Sequence, residues 1–423
     1  MTSVHLTNAY HPTSGGIRTF YHALLDAANR EQRRVALVVP GARTEILDRG
    51  TYGRIYVVEA PRAPLFDRRY RLLLPHRYFP GTGSTVIDIL DHVRPDVVEI
   101  CDKYSLPYLA AMLRKRRHPR VRRPTLVGLS CERFDDNMAA YVSASAAGRA
   151  FTRWYIRHIY GPPFDAHIAN SEYTAGELRD ALPERASGFI RVCPMGVDAD
   201  AFGPEHRDPA LRRQLLRRCG GGDTSVLLLY AGRLSPEKNL GLLVETMQAL
   251  ARCRDRDYRM VTVGDGPLTR WLRAQAAGPL GGRLSVWGSV ARDALAACCA
   301  SADVFVHPNP REPFGIGPLE AMASGVPVVA PEAGGVLEYA NRSNAWLAAP
   351  SAEAFADAVR SAAGGDARRL LAARATAFAF AWVRTTRRYF SLCDELHRLQ
   401  TERWPPPVRM PPRLGNARRT MHA

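Results

Sequence analysis

Glu312 and Glu320 stand eight positions apart in the stretch His307-Pro308-Asn309-Pro310-Arg311-Glu312-Pro313-Phe314-Gly315-Ile316-Gly317-Pro318-Leu319-Glu320-Ala321-Met322-Ala323-Ser324-Gly325. It follows the apolar run Val304 to Val306, so it leaves the carboxyl end of a strand, where open α/β sheets bind ligands. Pro318 suits a first helical position and Gly325 a C-terminal cap, which predicts a short helix between them. Gly315 to Gly317 then bring bare backbone amides to its N-terminus, an anion site suited to a diphosphate. Two carboxylates there can accept hydrogen bonds from sugar hydroxyls, one on a transferred sugar and one on a ribose. Without the glycines, the same pair would read as a helix-start carboxylate and a solvated loop charge.

Cations come from a second stretch, Ala231-Gly232-Arg233-Leu234-Ser235-Pro236-Glu237-Lys238-Asn239, again directly after an apolar strand. Gly232 permits a sharp turn, and Asn239 suits the cap of the next helix. Arg233 and Lys238 would share the crevice above the sheet, neutralising a diphosphate and stabilising it as it departs. Lysine occurs only at Lys103, Lys115 and Lys238, so its use at 238 in an arginine-dominated chain supports a specific role. A third stretch, Ala9 to Arg18, places Gly15-Gly16 at a helix start, where backbone can approach a phosphate closely. Val263-Gly264-Asp265-Gly266-Pro267 is a strand-to-loop turn that lacks the third glycine of a dinucleotide fingerprint. A Walker loop, a Ser-His-Asp triad and a zinc spacing are all missing.

The elements that must position these groups alternate along the whole chain. Strands are expected at Val35 to Val39, Val97 to Ile100, Thr125 to Leu129, Ala166 to Ala169, Val226 to Ala231, Met260 to Val263, Leu284 to Trp287, Val304 to His307 and Val326 to Ala330. Most are continuous apolar runs, as in strands buried on both faces. Amphipathic helices lie between them, such as the stripe Leu240, Leu243, Val244, Met247 and Leu250. This pattern predicts α/β architecture with parallel sheets, and 423 residues predict two doubly wound domains. The expected division is 1–195 and 196–383, with 403–423 a Pro- and Arg-rich, disordered basic tail.

Composition narrows the class further. Hydrophobic residues make up 46% and charged residues 23%, enough apolar material for buried cores. No apolar run approaches the roughly 20 residues of a membrane-spanning helix, and the N-terminus lacks a secretory pattern. The eight scattered cysteines read as free thiols, so a soluble cytoplasmic protein is expected. A net charge of +17 attracts polyanions, but near-exclusive use of Arg points to codon bias, and no nucleic-acid partner is expected. Arginines interleave with Leu, Phe and Tyr from Arg62 to Phe79 and cluster from Arg114 to Arg123, which predicts contact with an anionic membrane surface. The alternative for both runs is solvated surface.

Together these stretches, with Asn170-Ser171-Glu172-Tyr173-Thr174 and Gly196-Val197-Asp198, resemble the retaining GT-B glycosyltransferases of family 4, the group that includes bacterial α-mannosyltransferases. The resemblance covers nearly the whole chain. It implies two Rossmann-like domains facing a cleft, the N-terminal one for the acceptor and the C-terminal one for a nucleotide sugar, with a helix at 384–402 crossing back. It implies that Glu312 touches the donor sugar, Glu320 holds the ribose, and Arg233 and Lys238 bind the diphosphate. Gly15, Gly16, Gly232, Gly264, Phe314, Gly315, Ile316 and Gly317 would complete the donor site. The implied reaction is retaining and front-face, without metal or other cofactor. GDP-mannose is the favoured donor, UDP-glucose and UDP-N-acetylglucosamine remain open, and the acceptor is unidentified, a lipid-linked sugar being one candidate. One position departs from the pattern: Cys131 stands where the family commonly has a His, so either Glu132 or a neighbour substitutes, the register differs, or activity is reduced. A nucleotide-sugar-binding protein without turnover is therefore the alternative.

Overall fold

In the computed structural model, which describes residues 1–11, 15–63, 70–79, 84–116, 120–142, 144–184, 189–253 and 255–403, the strands sort into two sheets. The first contains β1 (Thr2–Thr7), β2 (Arg34–Gly41), β3 (Glu45–Arg49), β4 (Gly53–Glu59), β5 (Val97–Cys101), β6 (Thr125–Ser130), β7 (Ala166–Ala169) and β8 (Ile190–Val192). The second contains β9 (Val226–Ala231), β10 (Tyr258–Val263), β11 (Leu284–Gly288), β12 (Val304–Val306), β13 (Val328–Pro331) and β14 (Trp346–Ala348). Each expected strand is present. The short β8 and β14 and the β3–β4 hairpin go beyond the expectation. Among the described residues that hairpin is the one antiparallel pairing between these strands, and most of β3 is exposed, so it carries no buried apolar run.

Strand order places the ligand crevices. The first sheet runs β3-β4-β2-β1-β5-β6-β7-β8 and the second β11-β10-β9-β12-β13-β14. In each, the order reverses beside the first strand laid down, between β1 and β5 and between β9 and β12. Such a switch point leaves a crevice at the strands' carboxyl ends, because the connecting helices depart to opposite faces. The strands around these points are apolar and buried: every residue of β5 is covered, and so are Val226 to Tyr230 of β9. Between β9 and β10 lies the helix Leu240–Arg252, which buries Leu240, Leu243, Val244, Met247 and Leu250 against its sheet. A fully buried Leu contributes roughly 1.5–3 kcal/mol, so this stripe fixes which face the helix presents.

Two segments tie the halves together. The chain leaves β8 and passes Gly196-Val197, where the Val197 amide donates to Phe380 O at 3.0 Å and the Trp382 amide to Val197 O at 3.0 Å. A Cβ on Gly196 would sit 2.5 Å from Thr385 Oγ1 and 2.9 Å from Phe380 O, so the crossing is closed around a bare backbone. The helix Trp382–Arg403 then returns to the first sheet. Tyr389 donates to Glu99 Oε2 at 2.8 Å, Arg33 pairs with Asp394 at 2.7 Å, and His397 Nδ1 lies 2.9 Å from Thr125 Oγ1. Arg403, expected in the tail, ends this helix; the rest of the tail lies outside the described residues. No helix among the described residues is long and apolar enough to cross a membrane.

Candidate active site

At the switch point of the second sheet, the stretches after β9 and β12 meet. Lys238 Nζ donates to both Glu312 carboxylate oxygens at 2.8 Å. Asn309 Nδ2 donates to Glu312 Oε2 at 3.1 Å, and His307 Nε2 is 3.7 Å from the same oxygen. Burial alone would raise the Glu312 pKa, but Lys238 and His307 outweigh it and hold it at about 2. Burial also opposes the Lys238 ammonium, and Glu312 again wins, raising its pKa. His307 is driven the other way by burial, to about 4, so it is a neutral imidazole at neutral pH. Lys238 retains 22% side-chain exposure against 11% for Glu312, so the pair borders the crevice and is not freely solvated. Arg233 lies on the same turn. Its Nη1 donates to Tyr70 OH at 3.1 Å, and its guanidinium lies 5.3 Å from that ring's centroid.

The helix after β12 spans Ile316–Ala323, beginning two residues before Pro318, with Gly315 as N-cap at φ 84°. That left-handed conformation is open to glycine at little cost. Tyr339 OH donates to the Gly315 carbonyl and locks the turn. Glycine at 317 follows from crowding, since a Cβ there would lie 3.3 Å from both Ala231 O and Phe305 Cζ. Phe314 is buried, its ring 5.3 Å from Tyr339 and 6.3 Å from Phe380, so only its backbone can face a donor. Glu320 is nearly covered, and burial raises its pKa to about 7 despite Arg292, whose Nη1 lies 3.7 Å away. Asn239 does not cap its helix through its side chain: it takes a left-handed turn at φ 53°, and Nδ2 donates to Pro308 O at 3.1 Å. This bond joins the two stretches.

Gly264 has a different use from Gly315. At φ 136°, its missing Cβ would stand 1.9 Å from Gly232 O, so these two turns pack backbone on backbone. Across the crevice, Gly15 caps the helix Gly16–Arg30, and a Cβ on Gly16 would sit 3.1 Å from Ile316 Cδ1. The N-terminal glycine loop therefore faces the start of the helix that carries Glu320. Ser171 OH donates to Pro313 O at 2.5 Å and the Glu172 amide to Glu338 Oε2 at 2.9 Å, holding the halves together at this edge.

Cys131 follows β6 directly and packs in the core beside Cys101. Neighbouring thiols and burial push the Cys101 pKa up. Glu132 accepts from Asn137 Nδ2 at 2.9 Å, and burial raises its pKa although Lys103 opposes this. Among the described residues, no group of three or more His, Cys, Asp and Glu is placed to hold a metal ion. His307, Asn309, Arg292 and Tyr70 join the site without having been singled out. His307 and Asn309 were inside the motif and readable as polar groups at a strand end. Arg292 and Tyr70 belong to distant elements and had no local signal.

The membrane segments stand differently. Residues 64–69 and 117–119 lie outside the described residues. Leu73 and Tyr78 are fully buried, with Tyr78 OH donating to Ser105 O at 2.5 Å, so they serve the core. In the other cluster, Arg114 and Arg123 pair with Asp165 at 2.9 and 2.6 Å and Arg120 with Asp88 at 2.9 Å.

Known proteins match both halves. Residues 14–201 match the model described as Glycosyltransferase Family 4, and residues 225–364 match Glycosyl transferases group 1. A GDP-mannose-dependent alpha-(1-6)-phosphatidylinositol dimannoside mannosyltransferase of Mycobacterium tuberculosis is 30% identical over 393 residues, covering 91% of this chain and 93% of its own. A GDP-mannose-dependent alpha-mannosyltransferase of Corynebacterium glutamicum is 26% identical, covering 79% and 73%. In structure, sucrose-phosphate synthase from Thermosynechococcus elongatus superposes with a TM-score of 0.74 at 18% identity, over 94% of this chain and all of that one. Anabaena HepE in complex with UDP and glucose gives 0.65 at 17% identity, over 93% and 100%. With two parallel sheets meeting at a cleft, the glycine-bounded carboxylates at its centre and relatives along nearly its full length, the chain belongs to glycosyltransferase family 4 and is a GT-B glycosyltransferase that uses a nucleotide sugar.

Proposed function

We propose that this enzyme transfers mannose from GDP-mannose, with retention and without a metal ion, to a hydroxyl of a lipid-linked acceptor of the phosphatidylinositol mannoside type. The observation that carries the donor half is the Lys238–Glu312 pair beside Arg233 at the second switch point. The full-length mannosyltransferase relative supplies the preference for GDP-mannose and for the lipid acceptor.

In this reading the diphosphate lies against Arg233, Lys238 and the amides at the start of the helix Ile316–Ala323. Two cations and a helix N-terminus stabilise the charge that grows on the leaving phosphate. Glu312, held ionised by Lys238, accepts from hydroxyls of the sugar; Glu320 accepts from the ribose. The departing diphosphate takes the proton of the acceptor hydroxyl as the new glycosidic bond forms on the same face. Gly15-Gly16 closes the cleft from the opposite side.

Release of nucleotide from GDP-mannose, UDP-glucose and UDP-N-acetylglucosamine, each with and without a phosphatidylinositol mannoside, tests this. GDP release that rises with the lipid is expected and should survive a chelator. A faster UDP-sugar would replace the donor. Cys131 in place of the family's imidazole favours a second reading, a nucleotide-sugar-binding protein without turnover; tight GDP-mannose binding with no release from any donor would establish it.

A further inference from the structure

Arg292 stands where helix electrostatics disfavour it. It is the first residue of the helix Arg292–Ser301, after Ala291 as N-cap. A cation there opposes the helix dipole, so Arg292 gains nothing from its own helix. Three contacts outside the helix hold it. Its Nη1 lies 3.7 Å from Glu320 Oε1 and its Nη2 3.6 Å from Asp198 Oδ2. Its guanidinium lies 5.1 Å from the ring centroid of Phe202, which is fully buried. Asp198 is fixed in turn, with Oδ1 accepting from the Ala201 amide and its carbonyl from the Phe202 amide, both at 3.1 Å. This turn continues the linker Gly196-Val197, whose Val197 is bonded to Phe380 and Trp382 at the start of the crossing helix. One guanidinium thus joins the linker between the halves to a carboxylate of the second crevice.

We propose that Arg292 is a positioning residue that keeps the Glu320 carboxylate charged for the nucleotide ribose, with Asp198 of the linker tuning its hold. The ribose clause rests on the reading above; the control of Glu320 does not. Burial opposes the charge on Glu320 most, Arg292 favours it, and Asp198 opposes it. No other described charge acts on Glu320 comparably. Two neutral groups complete its surroundings. Cys299, on the same helix as Arg292, and Tyr339 are kept protonated by burial first and then by nearby carboxylates, Glu320 among them. The helix Ala367–Ala379 also packs against Ile316–Ala323, and among the described residues no charged side chain of it pairs with Glu320. Losing Arg292 therefore leaves Glu320 beside Asp198 alone, and the carboxylate holds its proton to higher pH.

Calorimetry of the full chain with GDP, repeated across neutral pH, reads the proposal. Arg292→Gln should move the midpoint of GDP affinity up by about one pH unit, the lower end of the effect of a lost opposite charge. At high pH its affinity should converge on that of the wild type. Arg292→Lys should restore most of the midpoint. Asp198→Asn should move it down by less, because that carboxylate is 41% exposed and screened. A loss in Arg292→Gln that is equal at every pH would make Arg292 a ligand of the nucleotide itself and overturn the proposal. Urea unfolding over the same range follows Glu320 without nucleotide. Stability falls as pH rises to the folded-state pKa of Glu320, and in Arg292→Gln that fall should extend about one pH unit higher. Adding Glu320→Gln should abolish the fall. A fall that Arg292→Gln leaves in place would overturn the proposal. An extended fall beside wild-type GDP affinity that ignores pH would instead sink the ribose reading and leave the control of Glu320 standing.

Discussion

The two switch points are built alike and used differently. At each, a strand order reverses, a glycine-bearing loop leaves the first strand, and one of the chain's three lysines approaches a glutamate. In the first sheet Lys103 follows β5. Its ammonium donates to Glu177 Oε2 and to Glu132 O, both at 2.5 Å, with side-chain exposures of 2% and 5% for the Lys–Glu pair. Glu177 Oε1 in turn accepts from the Phe134 and Asp135 amides at 2.6 and 2.9 Å, fixing the start of that helix. All of these bonds close inside the protein. In the second sheet Lys238 and Glu312 face the crevice, and a bound anion can compete for the ammonium. The same residue pair is a sealed strut in one half and borders an open crevice in the other.

Backbone crowding sets the glycines of the second crevice apart from Gly15. Gly232, Gly264, Gly315 and Gly317 stand where a methyl group would meet other backbone, a fixed neighbour or a left-handed turn. Gly15 has nothing within 4 Å of its missing Cβ.

The largest test of this contrast is chemical. Arg233→Ala and Lys238→Ala should each lower nucleotide release by about 10²–10³-fold, the usual cost of losing one charge-stabilising donor. Their thermal melts should differ. Lys238→Ala strands the Glu312 carboxylate and should cost about 3–5 kcal/mol, whereas Arg233→Ala leaves no buried charge behind. Lys103→Met should resemble the melt of Lys238→Ala, with the remaining activity of the folded fraction close to wild type. Equal activity losses at both lysines would erase the distinction.

Next in size is the glycine pair. Gly264→Ala drives a methyl to 1.9 Å from Gly232 O and should exceed about 4 kcal/mol of destabilisation, while Gly15→Ala should stay within about 0.5. Urea unfolding of both variants measures it.

A smaller effect concerns Glu320. With its pKa raised to about 7 by burial, it is ionised above that pH, and under the proposed ribose role it accepts hydroxyls best there. GDP affinity should fall about tenfold for each pH unit below this point and should be flat in Glu320→Gln. Stability runs oppositely. The folded state holds this proton more tightly than the unfolded chain, so stability drops as pH rises from the ordinary glutamate value to about 7, and the Gln variant should lose that drop. Glu312 has the reverse sign, since its contribution is present above the ordinary glutamate pKa and lost as pH falls towards about 2. Smallest is Cys131→His. A larger ring beside Cys101 should overpack the core by about 1–3 kcal/mol and leave turnover unimproved; a gain in nucleotide release would restore the missing imidazole to a catalytic place.

Much of the architecture was readable from local pattern. Continuous apolar runs such as Val226 to Tyr230 mark strands covered on both faces, and the stripe from Leu240 to Leu250 marks a helix between them, because burial on a regular element imposes its period on the sequence. Glu312, Glu320 and the glycines between them were equally legible, since a turn, a helix start and a strand end each leave their residue types close together. Burial was not legible. Phe314 belongs to the core, as do Leu73 and Tyr78 in a run that reads as interfacial, while Phe151 and Trp154 are exposed in a stretch that drew no notice.

The lysines show where the boundary lies. Their rarity suggested a special role for Lys238, yet Lys103 is equally rare, and each finds its carboxylate 74 residues further on. Residue type and spacing set strand, turn and charge within a few positions. Whether a charge ends as a sealed strut or beside an open crevice depends on which distant element covers it, and only the packed sheets decide that.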